Sequence, residues 1–263
     1  MTELSCFADQ RSFRPVNTGA MPDIPMVTVL LVRSGGFLLR SNGREEFIDP
    51  TMGFVLRQRD DTAVSHPAHT FDVSTVLEIR QDIFSDGPGL GESSGMPVAA
   101  GLDLAHRTLV AACRAGVDQF EVSERVHALL ARVPDGHRPA PTGGRASTLL
   151  ARRRMVDQVR TALIDGPLTV GLEELSSQAA CSPAHLSRVF HQVTGQTLTS
   201  YRNQLRVRAV AEEIAEGQSL RGLASKYGFA DQAHMTRVFR RHAGEVPTRV
   251  RALLRPAGAG GGK

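Results

Sequence analysis

The sequence predicts an α+β chain of two unlike parts: a small β-sandwich or barrel followed by two helices, then an all-α region built on a repeated helix, turn, helix unit. Three observations predict it. Residues 27–80 read as short apolar or alternating strands at intervals of about ten residues, separated by turn residues. Residues 134–144, Pro-Asp-Gly-His-Arg-Pro-Ala-Pro-Thr-Gly-Gly, are too rich in Pro and Gly to hold helix or strand and read as a linker. Beyond the linker the chain resembles itself at a fixed offset.

The first strand is Val27-Thr28-Val29-Leu30-Leu31-Val32, followed by the turn Ser34-Gly35-Gly36 and the strand 37–40. Ser41-Asn42-Gly43 carries the Asn-Gly pair of a tight hairpin turn. Further strands are expected at 46–48, 53–57, 62–65 and 73–80, with Phe37, Phe47, Phe54 and Phe71 facing the interior. A Gly-rich loop at 87–95 leads to helical periodicity, Leu102, Ala105, Leu109, Ala112 and then Phe120, Val126, Leu129, Leu130, split near Gly116. These boundaries divide the chain into a domain at 1–133, a linker at 134–147, a helical domain at 148–255 and a flexible tail at 256–263.

Of the 263 residues, 41% are hydrophobic and 22% charged, the balance of a folded protein. The longest apolar run is far short of the ~20 residues a membrane helix needs, and the N-terminus lacks a basic-then-apolar leader, so a cytoplasmic protein without membrane contact is expected. Cys6, Cys113 and Cys181 are odd in number and widely spaced, which excludes a disulfide framework or a paired Cys metal site. The net charge of +4 conceals a division: residues 1–147 carry −4 and residues 148–263 carry +8. Only the second part suits a polyanion.

Residues 184–195, Ala-His-Leu-Ser-Arg-Val-Phe-His-Gln-Val-Thr-Gly, align at an offset of 49 with residues 233–244, Ala-His-Met-Thr-Arg-Val-Phe-Arg-Arg-His-Ala-Gly; six of twelve positions are identical. Upstream, Leu172 and Leu175 align with Leu220 and Leu223 at 48, so the second copy has one more residue in its turn. Ser182 with Pro183 behind it, and Asp231 with Gln232, are the expected caps and first helical residues. Leu186, Val189, Phe190 and Val193 form one apolar face, repeated by Met235, Val238 and Phe239. The opposite faces, Ala184, Ser187, Arg188, His191 and Ala233, Thr236, Arg237, Arg240, Arg241, are small or basic. Small residues let a helix approach base edges while arginines one turn on reach guanine or phosphate. A single such helix is equally an amphipathic helix with a solvated face. Its duplication on either side of a spacer helix at 198–216 instead suits two successive major grooves about 34 Å apart.

The run from Gly228 through Ala230-Asp231-Gln232-Ala233-His234-Met235 to Arg241, followed by Gly244 and Pro247, resembles the second helix-turn-helix unit of the AraC/XylS family of bacterial transcription regulators. Ser182 to Phe190, Gly195, Tyr201, Leu205 and Arg206 resemble its first unit and spacer, the likeness covering residues 148–251. It implies that Ala184, Ser187 and Arg188 face bases in one groove and Ala233, Thr236 and Arg237 in the next. His185 and His234 are either DNA partners or helix-end side chains packed locally, and Arg152-Arg153-Arg154 either touch backbone or form a solvated face. More weakly, strands followed by two helices resemble the family's cupin-like sensor domain, an effector-binding barrel whose helices pair two subunits.

What the resemblance implies is a regulator without enzymatic activity or cofactor, whose partners are double-stranded DNA, RNA polymerase, a second copy of itself and a small-molecule effector; activation and repression are not distinguished. The alternative is a cupin-type metal enzyme with an accessory helical domain. His66 and His69 invite that reading, but their spacing is not the cupin His-x-His pattern and Pro67 fits a turn, so no metal is expected.

Overall fold

A computed structural model describes residues 6–7, 26–57, 60–66, 72–80, 93–134 and 146–255. The expected tail, most of the linker, Phe71 and His69 lie outside them. Eight strands occur among the described residues: β1 (Cys6–Phe7), β2 (Met26–Ser34), β3 (Phe37–Ser41), β4 (Arg44–Ile48), β5 (Met52–Arg57), β6 (Thr62–Ser65), β7 (Val73–Arg80) and β8 (Ser94–Pro97). They form a five-stranded antiparallel sheet in the order β1-β7-β2-β5-β8 and a three-stranded one in the order β4-β3-β6. The mixed α/β class is as expected, but among the described residues no ladder joins the two sheets into a closed barrel.

Strand β2 accounts for the apolar run, which only Thr28 interrupts. Val27, Val29 and Leu31 face α1 (Ala100–Ala115) and α2 (Gln119–Leu130), packing with Leu102, Leu109, Val126 and Leu129. Leu30 and Val32 face the small sheet, packing with Phe37, Leu39, Ile48 and Phe54. A strand covered on both faces has no side for polar residues. Asn42 (φ 50°) and Gly43 (φ 77°) take the two positive-φ positions of the β3–β4 hairpin, and Gly116 (φ 68°) ends α1 in the left-handed conformation.

The sequence places a loop across residues 87–95, yet β8 begins at Ser94 and pairs with β5. Gly95 lies within this strand, beside the flexible end of the Glu46 side chain.

His106 of α1 is 1% exposed and pairs through Nε2 with the Thr75 hydroxyl at 2.8 Å. Burial, reinforced by Arg107 and Arg33 against the pull of Asp103, drives its pKa down to about 3. Between that value and 6.5 the unfolded chain binds a proton that the fold does not. Stability therefore falls as pH falls through this window, by about 2 kcal/mol from pH 7 to pH 5 for this group. Chemical-denaturation series should show a shallower dependence on pH for His106→Gln than for the wild type.

The rest of the described chain is helical: α3 (Ala146–Asp165), α4 (Leu172–Gln178), α5 (Pro183–Thr194), α6 (Leu198–Ala215), α7 (Leu220–Lys226), α8 (Gln232–Ala243) and α9 (Pro247–Leu254). Two cores share α6. Its first half contributes Leu198, Tyr201 and Leu205 to a core with α3, α4 and α5; its second half contributes Val207, Val210 and Ile214 to a core with α7, α8 and α9. Leu104 and Ala111 of α1 pack against this second core.

Candidate nucleic-acid interface

The two units are built alike. Ser182 accepts a hydrogen bond from the His185 N–H at 3.3 Å, Asp231 accepts one from the His234 N–H at 2.6 Å, and each thereby satisfies a donor left open at the start of its helix. Pro183 opens α5, and Gly195 (φ 74°) and Gly244 (φ 76°) end α5 and α8. The turn between helices passes through the left-handed region at Ala180 (φ 50°) in the first unit and Gly228 (φ 67°) in the second, equivalent positions at the offset of 48. At Gly228 a side chain has no room, since a Cβ would come within 2.6 Å of Thr169 Cγ2.

Leu186, Val189 and Phe190 are buried beneath α5, and Met235, Val238 and Phe239 beneath α8. Ala184, Arg188 and His191 are exposed on α5, with Pro183, His185 and Ser187 half-buried. On α8, Gln232, Ala233, Arg237, Arg240 and Arg241 are exposed, with His234 and Thr236 half-buried. Thr236 commits its hydroxyl proton to the Gln232 carbonyl at 2.9 Å, leaving its oxygen to accept. His185 Nδ1 lies 3.4 Å from Arg188 Nη2. His234 buttresses the turn: Nδ1 accepts from the Ala230 N–H at 3.3 Å, and the ring stands edge-on to Phe229 at 5.8 Å.

Electrostatics sorts the arginines into two sets. Neither α5 nor α8 contains an acidic residue, and among the described residues Arg188, Arg237, Arg240 and Arg241 form no salt bridge. The other set is spent on structure. Arg206 donates to the Leu168 carbonyl at 2.9 and 2.8 Å and lies 5.7 Å from the Phe229 ring, joining the two units. Arg160 donates to Asp49 and to the Phe47 carbonyl, and Arg208 to the Val98 carbonyl. Of the run at the start of α3, Arg152 is half-buried while Arg153 and Arg154 are exposed. Guanidinium groups free of salt bridges on two exposed helix faces, anchored from beneath, are the arrangement that meets phosphates and guanine edges.

In the sheet region, His66 Nε2 pairs with Asp72 at 2.6 Å and its ring lies 5.6 Å from Phe37. Among the described residues no group of three His, Cys, Asp or Glu side chains is placed to hold a metal ion, and no helix is long and apolar enough to cross a membrane.

A helix-turn-helix domain family matches residues 175–252. The multiple antibiotic resistance protein MarA of Escherichia coli is 30% identical over 89 residues, a stretch covering 34% of this chain and 68% of MarA. The HTH-type transcriptional regulator RipA of Corynebacterium glutamicum is 32% identical over 117 residues, 44% of this chain but only 32% of RipA. Among solved structures, ToxT of Vibrio cholerae aligns over 98% of each chain with 12% identity and a TM-score of 0.36. With its repeat, caps and basic faces lying within the matched residues 175–252, and with MarA matched over two thirds of its own length, the chain belongs to the AraC/XylS family of transcriptional regulators.

Proposed function

We propose that this regulator recognises a specific duplex sequence by seating α5 and α8 in successive major grooves, and that it acts by binding rather than catalysis. The observation that carries this is the pair of equivalent helices whose exposed faces hold arginines in no salt bridge among the described residues, and no acid. Ala184, Ser187 and Arg188 in one groove, and Ala233, Thr236 and Arg237 in the next, address base edges; His191, Arg240 and Arg241 address phosphates. Residues 148–255 form the DNA-binding domain and 1–133 a cupin-like sensor domain, joined by the linker 134–147.

Control by a small-molecule effector is supported by a cavity of about 220 Å³ between α1, α6, β2 and α9, lined by Arg33, Arg107, Val110, Ala211, Glu212 and Leu254. A homodimer paired through α1 and α2 is what the family resemblance implies for this half of the chain. RNA polymerase as the downstream partner and a cytoplasmic setting follow from the role of a transcriptional regulator.

Fluorescence anisotropy on a duplex enriched by in vitro selection tests the central reading. Arg188→Ala and Arg237→Ala should each cost roughly 1–3 kcal/mol on the enriched duplex and relax preference at a few base pairs. Arg240→Ala and Arg241→Ala should weaken all duplexes alike and each lower the salt slope by about 1. Failure of selection to enrich any sequence, or equal affinity for enriched and scrambled duplexes, would overturn it.

A further inference from the structure

We infer that the N-terminal half sets the spacing and phase of the two recognition helices by gripping the spacer helix α6 along one line. The inference rests on the two-groove reading above. Three polar side chains of α6 reach partners outside the helical region. Tyr201 Oη donates to Asp49 Oδ2 at 2.7 Å, in the turn between β4 and β5. Arg208 Nη2 donates to the Val98 carbonyl at 2.6 Å, just before α1, with Nε 3.6 Å from Asp103 of α1. Glu212 accepts from Arg33 of β2 at 2.8 Å and from Arg107 of α1 at 2.6 Å. Positions 201, 208 and 212 are separated by seven and four residues, so they fall on one side of the helix and span roughly 16 Å.

These three anchors reach both units. Tyr201 belongs to the core beneath α5, and Asp49 also holds Arg160 of α3, so the first unit is fixed at two elements. Arg208 and Glu212 lie on the half of α6 that carries the core beneath α8, where Leu104 and Ala111 of α1 pack as well. Each unit is built on its own half of one helix, and bending or twisting α6 would move one recognition helix against the other. Anchors near both ends, all supplied by the N-terminal half, oppose that movement. The grip does not cover the DNA-facing side: Ala184, Arg188, His191, Ala233, Arg237, Arg240 and Arg241 all stay exposed. Tyr201, Arg208 and Glu212 are thus positioning residues, acting on DNA through the placement of α5 and α8.

The test uses the full chain and an enriched duplex, together with versions carrying one base pair inserted or deleted between the two sub-sites. Each change turns one sub-site by about 34° and shifts it by about 3.4 Å relative to the other. The wild type should lose about tenfold or more in affinity on either altered duplex, because a pre-set pair of helices cannot follow the change. In Tyr201→Phe, which keeps the buried ring, and in Glu212→Gln, that penalty should shrink to about threefold or less. Protection of each sub-site in a footprint should persist in both variants, which a merely damaged fold would not allow. An unchanged spacing profile in the variants overturns the inference. If Glu212→Gln does not fold, Tyr201→Phe alone decides. If the wild type protects only one groove, the two-groove reading fails first and independently.

Discussion

Asp49→Ala should destabilise the protein by about 3–5 kcal/mol, because it strips the carboxylate from a buried charged group without removing that group. Asp49 is 0% exposed and accepts hydrogen bonds from Arg160, from Tyr201 and from both the amide and hydroxyl of Thr51. Burial alone would raise its pKa, but Arg160 and the hydrogen bonds of Tyr201 and Thr51 outweigh burial and hold it below 3.8. With Asp49 gone, the Arg160 guanidinium remains buried between the Phe47 and Tyr201 rings with only a carbonyl and Asp157 near it. A folded-state pKa below the unfolded one means the contribution is complete above about pH 4 and is lost as pH falls through the folded value. Urea titrations should therefore show a wide gap between wild type and variant at neutral pH, closing in strong acid.

Phe190→Ala and Phe239→Ala should each cost about 3–5 kcal/mol, since both rings are fully buried at equivalent positions of the repeat and their loss leaves a cavity. Phe190 packs 5.3 Å from the Tyr201 ring in the first core, and Phe239 lies among Val210, Leu223 and Val250 in the second. The two losses should separate in function. Phe190→Ala loosens the seat of α5 and Phe239→Ala that of α8, so each should weaken protection of one groove more than the other. Thermal melts give the stability, and footprints of the folded variants give the separation.

The helices were legible because their signals are local. Ser182 and Asp231 as caps, glycines 195 and 244 as stops, and buried positions three and four apart all lie within one turn of the residues they govern. The Asn42-Gly43 hairpin and most strand limits were readable for the same reason. The arrangement of the strands was not, because pairing between β2, β5 and β7 joins residues far apart in the chain. β8 hid behind Gly95, because it is a short strand whose pairing with β5 joins residues about 40 positions apart.

For the candidate interface, residue type and period placed Ala184, Arg188, Ala233 and Arg237 on exposed helix faces, where the structure has them, but could not say which arginines are spent on structure. Arg206 and Arg208, two residues apart on α6, are both buried and meet different partners, the Leu168 and Val98 carbonyls. Asp103 and Arg107 form an ion pair four residues apart. They are buried because α1 is covered by the sheet on one side and α6 on the other.

Hydroxyl-radical footprinting of the full chain on an enriched duplex tests most directly the claim that two equivalent helices read one site. Two protected patches about 10 base pairs apart on one face of the duplex are predicted, the patch under α5 fading with Arg188→Ala and the patch under α8 with Arg237→Ala. A single patch, or two patches that fade together with either substitution, would contradict it.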